Sequence, residues 1–233
     1  MKMCAQDIEF TLIRSERKTA DIVIERTGEV IVRAPIGIDD ARVRDAVADR
    51  ALWVHRSLAE WEDLNSSRRN RPFVQGQGFA YLGRSYRLKF VSDSGVPLRL
   101  KNGRWELSES FVANEGEAAV RKAFRDFYIS KGLQIFTERV THFAPQVGVE
   151  AGPVVVKELG YHWASCGSGG ALNFHWKTLM APQTVVDYIV VHELCHMRHR
   201  DHSDAFWNEV DKVMPQYRSR KEWLRVNGAA LDI

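Results

Sequence analysis

The 233-residue chain has few cysteines and no long apolar run, and each shortage argues against a class of protein. Its three cysteines, Cys4, Cys166 and Cys195, are odd in number, widely spaced and never arranged as CxxC. This pattern argues against a disulfide framework and is typical of free thiols in a reducing compartment. Because no apolar stretch reaches the length of a signal core or a membrane span, we expect a soluble, cytoplasmic protein without a membrane partner.

Net charge is also small. The 33 Lys and Arg residues outnumber the 30 Asp and Glu residues by three, which is too mild an excess to indicate nucleic-acid binding by itself. Basic residues cluster at residues 14–18 and in a polar break over residues 65–72. We expect both clusters to be solvated surface, with binding of an anionic substrate as the alternative.

The distribution of apolar residues predicts an α+β fold. Residues 1–110 form a β-rich N-terminal region with one helix, over residues 39–64, and with hairpins around Thr27-Gly28 and Asn102-Gly103. Residues 111–233 carry a long helix over residues 115–143 and a further hairpin, over residues 161–176, before a buried helix. Both regions together could be one continuous domain.

The buried helix contains the motif His192-Glu193-Leu194-Cys195-His196. With about 3.6 residues per turn, His192 and His196 share one face of a helix, where both rings can bind a single ion. Glu193 lies beside that ion, in the position of the general base of an HExxH metallopeptidase. Pro182 suits the first helical turn. The alternative is a buried helix in which the two histidines are hydrogen-bonded core residues.

A catalytic zinc ion commonly has three protein ligands and one open position. The third ligand has several candidates. His199 is seven residues from His192, which is about 10 Å along a helix. His202 lies beyond the expected helix end, where Asp201 could adopt a left-handed conformation and turn the chain back. Glu209 and Glu222 on later helices are the carboxylate candidates, and position favours His202 among the four.

The motif and its flanking segments resemble the YgjP-like metallopeptidase domain family, a zincin relative of the SprT-like and WLM domains. HELCH is followed by RDHSDAFW and preceded by HWASC, GALNFHW and DYIVVHEL, and the N-terminal segments RSERKT and YLGRSYRLKF also match. The resemblance implies a zincin-like C-terminal half in which His192, His196 and His202 bind zinc and Glu193 is the catalytic acid/base. One departure is Ala164, where the family usually has glycine. If that glycine needs a positive φ, the local loop differs here.

The predicted activity is hydrolysis of peptide or protein amide bonds by a zinc-dependent metallopeptidase. Imidazole ligands suit Zn²⁺ better than Mg²⁺, and Glu193 would take the proton of the attacking water. The strand over residues 171–175 would form the rim of the cleft, with Asn173 and His175 contacting substrate.

Two alternatives remain open. The same site could hydrolyse a nucleotide (UTP-like) pyrophosphate, an activity also associated with some YgjP-like proteins, with arginines binding phosphate. A DNA-associated, SprT-like protein with a structural zinc is the other, although an intact Glu193 argues against it.

Overall fold

The computed structural model describes residues 1–25, 27–66, 71–92, 95–160, 162–167 and 169–233, with the backbone alone for residues 64–66. These residues form six α-helices and three small mixed sheets, which confirms the α+β prediction. Within the same ranges, no helix has the length and apolar character needed to cross a membrane. The chain divides into two compact units, Met1–Ser67 and Arg68–Ile233.

The first unit is a four-stranded sheet with two helices. The strands are β1 (Lys2–Ala5), β2 (Ile8–Ser15), β3 (Asp21–Ile24) and β4 (Val30–Pro35), and the helices are α1 (Asp40–Ala48) and α2 (Ala51–Ser66). The strand order is β1-β2-β4-β3, with β2 parallel to β4 and the other pairs antiparallel. The β3–β4 pair confirms the hairpin predicted around Thr27-Gly28.

The single helix predicted over residues 39–64 is wrong, because the chain turns at Asp49 and Arg50 between α1 and α2. The turn changes the helical phase, so that Val54 is buried, whereas Leu52 is 81% exposed and Trp53 is 46% exposed. Helical spacing predicts the buried face only within one uninterrupted helix, and the apolar pattern did not reveal the turn at Asp49 and Arg50.

The second unit begins with another four-stranded sheet. Its strands are β5 (Gly78–Tyr81), β6 (Arg84–Val91), β7 (Leu98–Lys101) and β8 (Arg104–Ser108), in the order β5-β6-β8-β7. The alternation of strand side chains buries Phe79, Leu88 and Trp105 in the core of this unit. This sheet, which the sequence grouped with the N-terminal region, lies in the same unit as the HExxH residues.

Helix α3 (Glu109–Val147) packs behind the helix that carries the motif. Its residue with non-helical φ/ψ is Gly116, with φ 74°, whereas Gly132 is helical. Gly132 instead allows close packing, because a Cβ there would lie 3.2 Å from Val156 Cγ1. Phe136 of α3 stacks on Phe174 at 4.1 Å between ring centroids.

The remaining elements complete the second unit. They are β9 (Val154–Lys157), β10 (Ala164–Cys166), β11 (Leu172–His175), α4 (Gln183–Cys195), α5 (Asp204–Val213) and α6 (Tyr217–Asn227). The strands form a sheet in the order β10-β11-β9, in which β11 is antiparallel to β10 and parallel to β9. The hairpin predicted before the buried helix is therefore confirmed.

The start of α4 is held against the β5–β6 turn. The backbone N–H groups of Leu82 and Gly83 donate to the carbonyls of Leu179 and Met180, at 2.7 and 3.2 Å. Gly83 has φ +78°, and a Cβ there would lie 2.8 Å from the Cα of Pro182. This turn therefore requires glycine both for its backbone conformation and for the close approach.

Candidate metal centre

Helix α4 is buried, and its ends and its contact with α3 fix where the motif lies. Pro182 is its N-cap and His196 its C-cap, so the helix ends at the second histidine of the motif. The Arg139 guanidinium of α3 donates to both carboxylate oxygens of Asp187, at 2.7 and 3.0 Å. This two-point contact fixes α4 against α3, because a bidentate pair restrains both distance and orientation.

Three histidine rings converge beyond the end of α4. The Nε2 atoms of His196 and His202 each lie 3.1 Å from Nε2 of His192. One ligand atom from each of the three histidines lies within 4.8 Å of the others. The third histidine comes from the segment between α4 and α5, as the sequence favoured.

The turn that returns the chain to His202 differs from the prediction. In the described chain, the non-glycine residues with positive φ are Gln6, Leu82 and Asn102, so Asp201 is not left-handed. Instead, Asp201 Oδ1 accepts a hydrogen bond from the Ser203 backbone N–H at 3.3 Å, which is an Asx-turn.

Aromatic residues of α5 and α6 pack around the histidines. The Trp207 ring lies nearly parallel to His202, at 5.6 Å and 22°, and to Tyr217, at 5.3 Å and 13°. Phe206 lies 4.5 Å from His196 and 4.9 Å from both His192 and His202, measured between ring centroids. These aromatics form one wall of the histidine cluster.

The protonation of the cluster suits metal binding. His196 Nδ1 is 3.0 Å from the His199 carbonyl, and donation to that oxygen leaves the lone pair on Nε2. Burial, and then the charges of His196 and His202, lower the pKa of His192 to about 3. Burial is also the main cause that lowers the pKa of His196 and of His202. All three rings are therefore neutral at neutral pH, as metal ligands must be.

The spacing and the lone pairs of the three Nε2 atoms suit binding of one divalent cation better than hydrogen bonding among the rings. His196, which donates from Nδ1, presents a bare lone pair at Nε2 toward Nε2 of His192, where a cation can accept it. Nitrogens bound to tetrahedral zinc at 2.0–2.1 Å would be about 3.3 Å apart, close to the observed 3.1 Å separations. A set of three neutral imidazoles is also a donor set that zinc accepts readily.

Glu193 lies beside this cluster and not within it. Its side chain is buried, with 6% exposure, and burial raises the pKa of its carboxyl group to about 8. Its charge acts on Tyr188 and Cys166, and in each case it raises the pKa of the neighbouring group after the larger effect of burial. The Glu193 carboxylate is therefore within electrostatic range of Cys166 in β10.

Comparison with known proteins places these residues in a family. A family model described as YgjP-like, metallopeptidase domain, matches residues 18–227, nearly the whole chain. The chain belongs to the YgjP-like metallopeptidase domain family. Membership supports a peptidase-type hydrolase with a metal ion and a peptide substrate at the level of the family.

Part of this YgjP-like chain is also similar to a solved structure. The metallopeptidase zymogen abylysin of Pyrococcus abyssi is similar over 40% of this chain and 92% of its own, with 25% identity and a TM-score of 0.36. A search of curated proteins finds no match.

The other candidate ligands of the YgjP-like domain are engaged elsewhere. Glu209 accepts from Arg198 and Lys212, each at 3.0 Å, and Glu222 pairs with Arg225 at 2.7 Å. The ring of His199 is not among the three that converge. Its carbonyl orients His196, a role that the sequence did not reveal.

The two predicted substrate contacts of the YgjP-like domain, Asn173 and His175, differ in burial and in hydrogen bonding. His175 is 2% exposed, its Nε2 lies 2.7 Å from Glu158 Oε1, and its Nδ1 accepts the Lys177 N–H at 3.0 Å. Neither ring nitrogen is left for a substrate. Asn173 is half-buried and donates to Ser165 Oγ at 3.4 Å.

The rim strand predicted over residues 171–175 is wrong. β11 has strands on both sides, whereas β10 is at the edge of its sheet in the described chain. The Trp163 carbonyl and the Gly167 N–H bond to β11, so the backbone groups of Ala164 and Cys166 point to the open side. Ala164 adopts an extended conformation without positive φ, so it fits where the family usually has glycine.

The described arginines of the two basic clusters contact groups of the protein itself. Arg14 donates to the carbonyls of Pro35 and Ile38 and pairs with Asp40, and Arg17 pairs with Asp21. In the second cluster, Arg71 donates to the carbonyls of Gly78 and Ala230. Residues 67–70, which include the other two arginines, lie outside the described residues.

Proposed function

We propose that this protein is a zinc-dependent metallopeptidase in which His192, His196 and His202 hold the ion and Glu193 is the catalytic acid/base. The observation that carries this proposal is the convergence of three neutral Nε2 atoms, at 3.1 Å separations, beside a buried carboxylate without a protein partner in the described chain. A histidine cluster that served only as core would need donors opposite its acceptors.

When bound, zinc supplies Lewis-acid polarisation of the substrate carbonyl and lowers the pKa of a water molecule to about 7. Glu193 then moves the protons. Its carboxylate takes a proton from the attacking water and returns it to the nitrogen of the leaving amine. Burial raises the pKa of Glu193 to about 8 before any cation is bound, and a nearby positive charge lowers it toward the working pH.

The edge strand β10 is the proposed binding site for the substrate backbone. The outward N–H and C=O groups of Ala164 and the N–H of Cys166 can pair with an extended peptide. The Cys166 carbonyl accepts a hydrogen bond from Arg200 at 3.5 Å, so that end of the strand is already engaged. We therefore propose β10, in place of β11, as the strand at the rim of the cleft. Asn173 stays a candidate substrate contact because it donates to Ser165 of β10.

The test compares E193Q with the wild type as zinc-loaded full chains. We expect E193Q to bind one zinc ion but to hydrolyse casein and peptides about 10²- to 10⁴-fold more slowly, the range for loss of a general base. The matched control is E222Q, because Glu222 is an exposed carboxylate paired with Arg225. Full activity of E193Q, in a preparation free of wild-type enzyme, would remove Glu193 from the mechanism.

The same preparations distinguish the alternative functions. Zinc-dependent hydrolysis of nucleoside triphosphates without peptide hydrolysis would favour the pyrophosphatase alternative. Salt-dependent DNA binding without turnover of either substrate would favour the DNA-associated alternative.

A further inference from the structure

Tyr188 lies on the metal helix one turn before the first histidine. Because it precedes His192 by four residues, both side chains share one face of α4. The two ring centroids are 5.8 Å apart, with an angle of 61° between the rings. The tyrosine is 5% exposed, so the surrounding core fixes the position of its ring.

The Tyr188 hydroxyl has no hydrogen-bond partner among the residues that the structure describes. This is unusual for a buried tyrosine, and Tyr128, which is fully buried, donates its hydroxyl to the Ala80 carbonyl. His192 Nδ1 is the fully buried side-chain polar atom left without a partner in the described chain. The unpaired Tyr188 hydroxyl must therefore retain access to solvent, and its donor capacity is free.

The neighbours of this hydroxyl are the proposed reacting groups. Tyr188 interacts electrostatically with the Glu193 carboxylate and with Tyr217, while its ring contacts His192. The Tyr188 ring therefore lies against the metal-binding face of α4, and its free donor is within electrostatic range of the proton-transfer residue.

Addition of water to an amide carbonyl converts that oxygen into an oxyanion, which needs a donor placed in advance. We propose that the Tyr188 O–H donates a hydrogen bond to this oxygen and so stabilises the transition state, an inference that rests on the proposed peptidase function. No proton is transferred from the tyrosine. Because the ring is already held by the core, the donor needs no rearrangement when charge develops.

Lys221 is the competing donor. Its ammonium lies 4.2 Å from the centroid of the Trp207 ring, and its charge acts on His192 and His202. The residue is exposed, so water solvates the ammonium and its long side chain is not fixed before the substrate binds. Tyr188 is favoured because it is both buried and unpaired.

The experiment measures Y188F, K221M and the distant control Y86F as zinc-loaded full chains. Tyr86 is a half-buried tyrosine of β6, so Y86F removes a hydroxyl without touching the site. We expect Y188F to lower kcat about 10²- to 10³-fold, the cost of losing one oxyanion donor, with KM and zinc content unchanged. K221M and Y86F should keep wild-type kcat.

A binding measurement separates transition-state stabilisation from other roles. A phosphonamidate peptide has phosphoryl oxygens in place of the oxyanion, and we expect Y188F to weaken its binding by a factor similar to the loss in kcat. Y188F with wild-type kcat and wild-type phosphonamidate affinity would overturn the inference while the peptidase function stands. A loss of zinc from Y188F in parallel with the loss in kcat would show that Tyr188 supports His192 instead. A large loss of kcat in K221M alone would assign the role to Lys221. Either result overturns the inference. Wild-type enzyme that hydrolyses no peptide would overturn the proposed function, and this inference with it.

Discussion

Replacing Trp207 with leucine tests whether an aromatic stack orients the third histidine. His202 follows the end of α4 and belongs to no helix or strand, so the hydrogen bonds of regular structure do not fix its ring. The nearly parallel Trp207 ring, which also stacks on Tyr217, holds the imidazole from one side. Leucine keeps much of the apolar volume but removes the two stacked ring pairs, together with the Trp207 ring contacts to His192 and Phe206.

The expected magnitude follows from those two pairs. An aromatic pair contributes about 0.5–1.5 kcal/mol beyond its buried area, so W207L loses about 1–3 kcal/mol of ring contact. If this loss falls on the orientation of His202, the dissociation constant for zinc rises about 5- to 150-fold, since about 1.4 kcal/mol corresponds to tenfold. This range includes the loss of about 10- to 100-fold that is typical of residues that orient a metal ligand from behind.

The assay is competitive titration of zinc against a chelator, with unfolding of the metal-free protein in urea as a check on stability. The matched control is W223L, because Trp223 is a half-buried tryptophan of α6 without a ring contact to the histidines among the described residues. We expect W223L to keep the wild-type zinc affinity. A dissociation constant for W207L equal to that of the wild type would refute the role of the stack.

Two further predictions concern the histidines. Zinc should stay bound as the pH falls from 7 to about 5.5. Burial lowers the pKa of His192 to about 3 and also lowers the pKa of His196 and of His202. Protons therefore compete with zinc less than they would at an ordinary histidine pKa of about 6.5. Zinc content after dialysis across this range checks the prediction, and release centred near pH 6.5 would contradict it. H202A should weaken zinc binding by more than the roughly 100-fold seen for residues that only support a ligand, whereas H199A should keep zinc, because it is the His199 carbonyl that contacts His196. Equal losses in a zinc titration of both variants would count against the assignment of the third ligand.

The parts of this site that sequence could predict are local ones. The face shared by His192 and His196 follows from helical spacing alone, and the buried character of α4 follows from its apolar residues. The choice of His202 over His199 also has a local basis, because the rise of a helix separates His199 from the ion.

The parts that sequence missed depend on contacts between distant segments. Strand order decides that β10 and not β11 lies at the sheet edge, and no pattern within either strand encodes that order. The partners of His175 come from Glu158 and from the following turn. Tyr188 carried one signal, its spacing of four residues from His192, but only the packed structure shows a hydroxyl without a partner.

The most direct test of the metal centre is zinc K-edge X-ray absorption on the full chain with one equivalent of zinc. We expect three imidazole nitrogens at about 2.0–2.1 Å, with one of them lost in H202A. A sulfur neighbour at about 2.3 Å, or a spectrum with only oxygen neighbours, would contradict a zinc ion held by His192, His196 and His202.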